Sequence, residues 1–126
     1  MIASGTFEIV FEPHDADGAI GQMAFDKRFE GGFVGTSRGR MLTAGTPVEG
    51  SAAYVAIEVV EGTLDGLAGG FTCRQVGSMV RGETSLEISI VADSGTGELE
   101  VLTGTSTIEI IDGVHHYKLE YSLPDA

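Results

Sequence analysis

Polar and apolar residues alternate along most of the chain with a period of two, the pattern typical of β-strands that bury one face. In the first such segment Phe7, Ile9 and Phe11 share one face, and their polar neighbours Thr6 and Glu8 lie on the other. The chain therefore begins with a half-buried strand.

The same alternation recurs and predicts about eight strands separated by turns. Turn signals rich in Gly, Asp and Pro occur at 13–18, 31–32, 62–66 and 112–113, where glycine supplies backbone angles that other residues avoid. The Asp-Gly pair at 112–113 predicts a two-residue hairpin. The predicted strands lie at about 6–11, 22–29, 33–44, 52–61, 67–76, 84–92, 103–111 and 114–123.

Helix signals are scarce, and the strongest is a short turn at 98–102, which would plug one end of a barrel. A parallel sheet needs crossover helices, so we expect an antiparallel sheet. Sequential strands of this kind form a sandwich or a barrel, and closure is favoured because long strands would otherwise expose their edges. We predict a single all-β domain over 1–126, a closed antiparallel up-and-down barrel of about eight strands.

The chain is strongly acidic, with 19 Asp and Glu against 7 Lys and Arg and a formal net charge of -12. This charge repels a phosphate backbone and an anionic membrane surface, so we expect neither nucleic acid nor a membrane as a partner. Cys73 is the one cysteine, which excludes an intrachain disulfide. The first residues lack the features of a secretion signal, and no apolar run approaches the ~20 residues of a transmembrane helix, so we predict a cytoplasmic protein.

Three blocks of the second half carry a family resemblance: IEVVEGTLDG at 57–66, SGTGEL at 94–99 and HHYKLEY at 115–121. Together with ASGTF at 3–7, they make the chain similar to an uncharacterised bacterial family. That family is a domain of unknown function whose fold is related to the barrel of plant allene oxide cyclase. The resemblance covers the whole chain and implies an eight-stranded barrel, in agreement with the strand pattern. It implies no activity.

Candidate ligand-binding side chains lie on faces predicted to point into the barrel. In the last strand His115, Tyr117 and Tyr121 share the apolar face with Leu119. A histidine and two hydroxyl groups there suit the orientation of a small ligand or acid-base chemistry. Hydrogen-bonded polar side chains also fill the interior of many small barrels, so a purely structural role is the competing interpretation.

Two further candidates lie in the middle strands. Gln75 shares a face with Cys73, which we expect to be a small buried apolar group rather than a nucleophile. Glu58 interrupts an apolar run, and the alternation leaves open whether it points inward or outward. An inward Glu58 would need a compensating partner, for which Arg38 and Arg40 are candidates.

Other motifs are set aside on their geometry. The neighbours His115 and His116 point to opposite faces of a strand and cannot share a metal ion. The segment 14–18 offers two carboxylates but lacks the third acid and the terminal Glu of a calcium loop. GTSRG at 35–39 matches a hydrolase nucleophile elbow, but no helix follows it, and none follows the glycine-rich 94–99 to bind phosphate. We therefore predict no metal and no cofactor.

The sequence is compatible with three functions. The leading hypothesis is a barrel that binds a small, mostly apolar ligand, with its polar end held by the candidate side chains. One alternative is an isomerase or cyclase that uses the barrel interior, because one fold supports many activities. The other is a structural protein whose outer surface forms a homo-oligomer.

Overall fold

The structure, a computed structural model, describes residues 1–14 and 19–124. Over these residues the chain forms antiparallel β-strands and no helix, which confirms the predicted all-β class. The strands are β1 (Ile2–Pro13), β2 (Ile20–Gly31), β3 (Phe33–Gly45), β4 (Ala52–Leu64), β5 (Leu67–Val80), β6 (Glu83–Ile90), β7 (Thr96–Gly97), β8 (Thr103–Ile111) and β9 (Val114–Ser122).

Eight of these strands close into an up-and-down barrel. Each pairs antiparallel with the next along the chain, except that β6 pairs with β8, and β9 returns to pair with β1. The two-residue β7 lies against the start of β5, outside this order. The predicted closed barrel is therefore confirmed. The seam between β6 and β8 has two paired positions, Ile88 with Ser106 and Ser89 with Thr105.

Two-residue hairpins join three strand pairs, at Asp65-Gly66, Arg81-Gly82 and Asp112-Gly113, where both residues have positive φ. The hairpin predicted at 112–113 is confirmed. The turn predicted at 62–66 is shorter, because Gly62 lies within β4 opposite Gly35. Position 62 requires glycine, since a Cβ there would be 2.2 Å from the carbonyl oxygen of Val34. Residues 15–18 of the predicted turn at 13–18, which include both carboxylates of that segment, lie outside the described residues.

The two ends of the barrel differ. At one end the segment between β6 and β8 folds inward, and Leu99 and Leu102 are fully buried there. The backbone N–H of Ala68 donates to the carboxylate of Glu98 at 2.8 Å and ties this segment to β5. At the other end, the inward side chains of Phe11 and Ile110 remain largely exposed. We call this second end the open mouth.

The interior is packed with aromatic side chains. The ring of Phe29 lies edge-on to the rings of Phe33 and Tyr117, and Phe33 lies edge-on to Phe71. Such contacts stabilise an aromatic core beyond the area they bury. No helix in the described chain is both long and apolar enough to cross a membrane.

Candidate functional site

A buried carboxylate lies in the barrel interior. Glu58 of β4 points inward and is only 3 % exposed. Its Oε1 accepts hydrogen bonds from Lys27 Nζ at 3.0 Å and from Gln75 Nε2 at 2.5 Å. Its Oε2 accepts a hydrogen bond from Ser37 Oγ at 2.5 Å. We call these four side chains the Glu58 cluster.

The cluster forms because four consecutive strands present inward positions at the same level. Lys27 of β2 is paired with Ser37 of β3, and Gln75 of β5 lies one inward position from the residue opposite Glu58. Arg38 and Arg40, the expected partners of an inward Glu58, alternate with the inward Ser37 along β3, so their side chains point outward. That expectation is therefore wrong, and Lys27 is the partner.

Lys27 lies among aromatic rings as well as beside Glu58. Its Nζ is 4.7 Å from the ring centroid of Phe7, 5.4 Å from that of Phe25 and 5.8 Å from that of Phe29. Ring faces attract a cation, and the effect increases where water is excluded. Removing two charges from water is nevertheless costly, and their mutual attraction offsets the cost only when the remaining polar atoms are also paired. Ser37 and Gln75 supply that pairing for the carboxylate of Glu58.

A small cavity of about 50 Å³ lies beside the cluster. Its wall is mostly apolar. Such a volume holds little more than a few water molecules and is far below the several hundred Å³ typical of drug-sized ligands. The polar side of the wall consists of Lys27, Glu58, Cys73, Gln75 and Ser106, and the apolar side includes Phe7, Phe29, Phe33, Val60, Phe71, Ile88, Ile108, Tyr117 and Leu119.

Cys73 is paired with Glu58 across β4 and β5 and is buried. Burial is the main cause that raises the pKa of its thiol to about 12, and the negative charge of Glu58 adds to it against a smaller opposing effect of Lys27. The thiol is therefore protonated at neutral pH. It agrees with the expected small buried group and not with a nucleophile.

A wider concavity of about 640 Å³ lies at the open mouth, near the seam between β6 and β8. Tyr54, Met79, Leu86, Ile108 and Ile110 are among its lining residues, and Ile108 also lines the small cavity. The mouth concavity and the interior cavity are therefore neighbours with a mostly apolar boundary.

Two aromatic rings lie between the mouth and the cluster, each packed on a glycine. The ring of Tyr54 covers Gly77, and the ring of Phe25 covers Gly39. The Tyr54 hydroxyl donates to Oε1 of Gln75 at 3.5 Å, a long and weak hydrogen bond. Burial, and secondarily the charge of Glu58, raises the Tyr54 pKa, so this donor keeps its proton.

The three candidates in β9 all face inward, but they occupy different surroundings. The Tyr117 hydroxyl accepts from the backbone N–H of Phe33 at 2.9 Å and donates toward backbone carbonyls, of which Glu30 is at 2.8 Å. The Tyr121 hydroxyl donates to Asp65, which raises the pKa of Tyr121 to about 12. His115 packs on Phe7 with ring centroids 5.0 Å apart and does not line the cavity.

The structure therefore brings together Glu58 and Gln75, places the Tyr117 ring on the same cavity, and leaves His115 and Tyr121 apart from it. Sequence reasoning missed Lys27 and the role of Ser37. Lys27 could have been found from its position between Phe25 and Phe29, because alternation gives all three the same face. Ser37 lies in mid-strand, which agrees with the rejection of the hydrolase motif.

The structure defines a closed eight-stranded barrel with a buried ion pair beside a small interior cavity. The chain belongs to the family described as "Protein of unknown function (DUF3224)", whose model matches residues 3–121. A search of curated proteins finds no match. A solved structure of a protein of unknown function from the same family, from Shewanella oneidensis, is 39% identical. The match covers 100% of this chain and 98% of that chain, with a TM-score of 0.95.

Proposed function

We propose that the barrel binds a small, mostly apolar molecule that carries one hydrogen-bond acceptor, the oxygen of a carbonyl or hydroxyl group. The position of Lys27 is the observation that supports this proposal. An ammonium group has three donors, and the described residues supply one acceptor to it, Oε1 of Glu58. Its other donors lie on the side of the aromatic rings and the cavity.

The charge of the site favours a neutral ligand. Lys27 and Glu58 neutralise one another, so a carboxylate ligand would compete with Glu58, and an ammonium ligand would be repelled by Lys27. A carbonyl or hydroxyl oxygen accepts a hydrogen bond without adding a net charge. The apolar wall then contacts the carbon atoms of the ligand.

The volumes restrict how such a ligand lies. A cavity of about 50 Å³ accommodates only a few heavy atoms, so the rest of the molecule lies in the mouth concavity. The Tyr54 ring lines the mouth concavity, and its hydroxyl makes one weak hydrogen bond to Gln75 of the cavity wall. Displacement of the Tyr54 ring therefore joins the cavity to the mouth at little cost in hydrogen bonding.

Binding is better supported than catalysis by an isomerase or cyclase. Three protein donors already occupy the oxygens of Glu58, which places this carboxylate to hold Lys27 rather than to accept a proton from a substrate. His115, the other candidate base, lies outside the cavity wall. Glu58 lines the cavity with its oxygens already hydrogen-bonded, and His115 does not reach that cavity, so the two groups do not act together on one substrate.

The test is a titration with 2-ketones from butanone to octan-2-one, followed by the methyl NMR signals of the four methionines. We expect saturable shifts of the Met79 signal at the mouth and none of the exposed Met1. Alkanes of matched length should bind more weakly, because they offer Lys27 no acceptor.

Two variants at one position separate cavity binding from surface adhesion. Cys73→Leu fills the cavity and should abolish the shifts, whereas Cys73→Ala enlarges it and should preserve them. Absence of any saturable shift up to the solubility limit of the ketones, or equal binding by the two variants, would overturn the proposal.

We also propose a cytoplasmic location, supported by the free Cys73, which fits a reducing compartment. Cell fractionation with an antibody against the chain tests it. Recovery of the protein in an extracellular or membrane fraction would contradict it.

A further inference from the structure

The outer face of β3, β4 and β5 carries an exposed apolar patch. Leu42, Val55 and Val76 are directly opposite one another on these three strands, and each is about half exposed. Ile57 is 53 % exposed, and Val59 follows it at the next outward position of β4. Contiguous apolar side chains are uncommon on the surface of a monomer and mark interaction sites when polar residues surround them.

Arginines flank this patch on both sides. Arg40 and Arg74 are the partners of Ile57 on β3 and β5, and Arg38 is the partner of Val59 on β3. Among the described residues, none of the three lies within 4.0 Å of a carboxylate oxygen. Arginine is enriched in protein interfaces because its stem packs on apolar groups while its guanidinium binds carboxylates.

Acidic side chains lie at the edges of the same face. Asp26 of β2 is opposite Arg38, Glu87 of β6 is opposite Val76, and Glu61 lies one outward position beyond Val59. The face thus has an apolar centre, carboxylates at its margin, and arginines that form no ion pair among the described residues, although Arg74 Nε donates a hydrogen bond to Ser89 Oγ at 2.8 Å. A face that contains both partners of each contact is self-complementary, which is the requirement of a two-fold symmetric interface.

We propose that this face, defined by Leu42, Val55, Ile57, Val59 and Val76 with Arg38, Arg40 and Arg74, is the interface of a homodimer. Two copies pack β4 against β4 of the partner near Ile57, and the arginines of each copy bind carboxylates at the margin of the other. The interface lies on the outside of the barrel, so it is independent of ligand binding in the interior.

The experiment measures molar mass by light scattering and the dimer dissociation constant by sedimentation equilibrium at physiological salt. The wild type should be a dimer. Ile57→Asp places a charge at the centre of the interface and should weaken dimerisation by about 100-fold, as expected for a central interface position. Val114→Asp introduces the same group on the opposite side of the barrel and should leave the dissociation constant unchanged.

A second pair of variants tests the charges. Arg74→Glu should weaken the dimer, whereas Arg81→Glu, in the hairpin after β5, should have no effect. Circular dichroism and urea unfolding confirm that each variant folds. A further variant, Ile57→Cys with Cys73→Ala, should form a dimer linked by a short bismaleimide.

A wild type that remains monomeric up to high protein concentration would overturn the proposal, because the face would then not bind a second copy of the chain. A dimer that persists in both Ile57→Asp and Arg74→Glu would also overturn it, because the copies would then meet through another face.

Discussion

The ammonium of Lys27 lies 3.0 Å from Oε1 of Glu58, although β3 separates the strands that carry them. The side chains bridge this distance inside the barrel because both strands curve around the same interior. Ser37, on the strand between them, binds the second oxygen of the same carboxylate. A pair of charges is thus held in a core that is otherwise aromatic and aliphatic.

The pair should be strongly coupled in its effect on stability. Glu58→Gln leaves a buried ammonium without its counter-charge, and Lys27→Met leaves a buried carboxylate, so each change should cost about 3–5 kcal/mol. The double variant removes both charges and should cost far less than the sum. Urea unfolding of the four proteins measures this coupling, and additive losses would show that the two groups do not interact.

The buried thiol should make the fold less stable at high pH. Below about pH 9 the Cys73 thiol is protonated in both the folded and the unfolded chain, so it contributes no pH dependence. Above pH 9 only the unfolded chain ionises, because the folded pKa is about 12, and stability falls as pH rises through this interval. Comparison of urea midpoints at pH 8 and pH 10 should show a smaller fall for Cys73→Ala. An identical fall in the two proteins would show that the Cys73 thiol does not cause the loss of stability.

The glycine beneath Phe25 should tolerate no side chain. A Cβ on Gly39 would lie 2.2 Å from Cζ of Phe25, so Gly39→Ala must displace the ring and should cost about 1–3 kcal/mol. Gly45→Ala in the same strand is the matched control, because no atom lies within 4 Å of its Cβ position. It should be neutral or stabilise by up to about 1 kcal/mol. Thermal unfolding of both variants checks the difference.

The hydroxyl of Tyr117 should contribute more to stability than that of Tyr54. Tyr117→Phe leaves the buried N–H of Phe33 without its acceptor and should cost about 1–3 kcal/mol. Tyr54→Phe removes only the 3.5 Å contact to Gln75 and should cost less than about 1 kcal/mol. Equal losses on urea unfolding would show that the hydrogen-bond geometry does not govern these contributions.

Parts of the site could be predicted from the chain. The period-two pattern places Tyr117 and Tyr121 inward without any knowledge of strand partners, because the side-chain direction of a strand depends only on position. The same rule applies to Lys27, which was overlooked because its charge suggests a solvated position. For Glu58 the rule could not decide, since Val55, Ile57 and Val59 form an apolar set on the opposite face and make either face a plausible interior.

Local sequence by itself determined the strands, the two-residue hairpin at Asp112-Gly113 and the sides on which residues such as Tyr117 lie. These depend on backbone sterics and on alternation over a few neighbouring residues. Only the tertiary structure decided that Lys27 meets Glu58, because the contact requires the register of two strand pairings, β2 with β3 and β3 with β4, and the curvature of a closed sheet. It also decided that the apolar side chains of β4 around Ile57 lie on the outside, because the closed barrel encloses the face of β4 that carries Glu58.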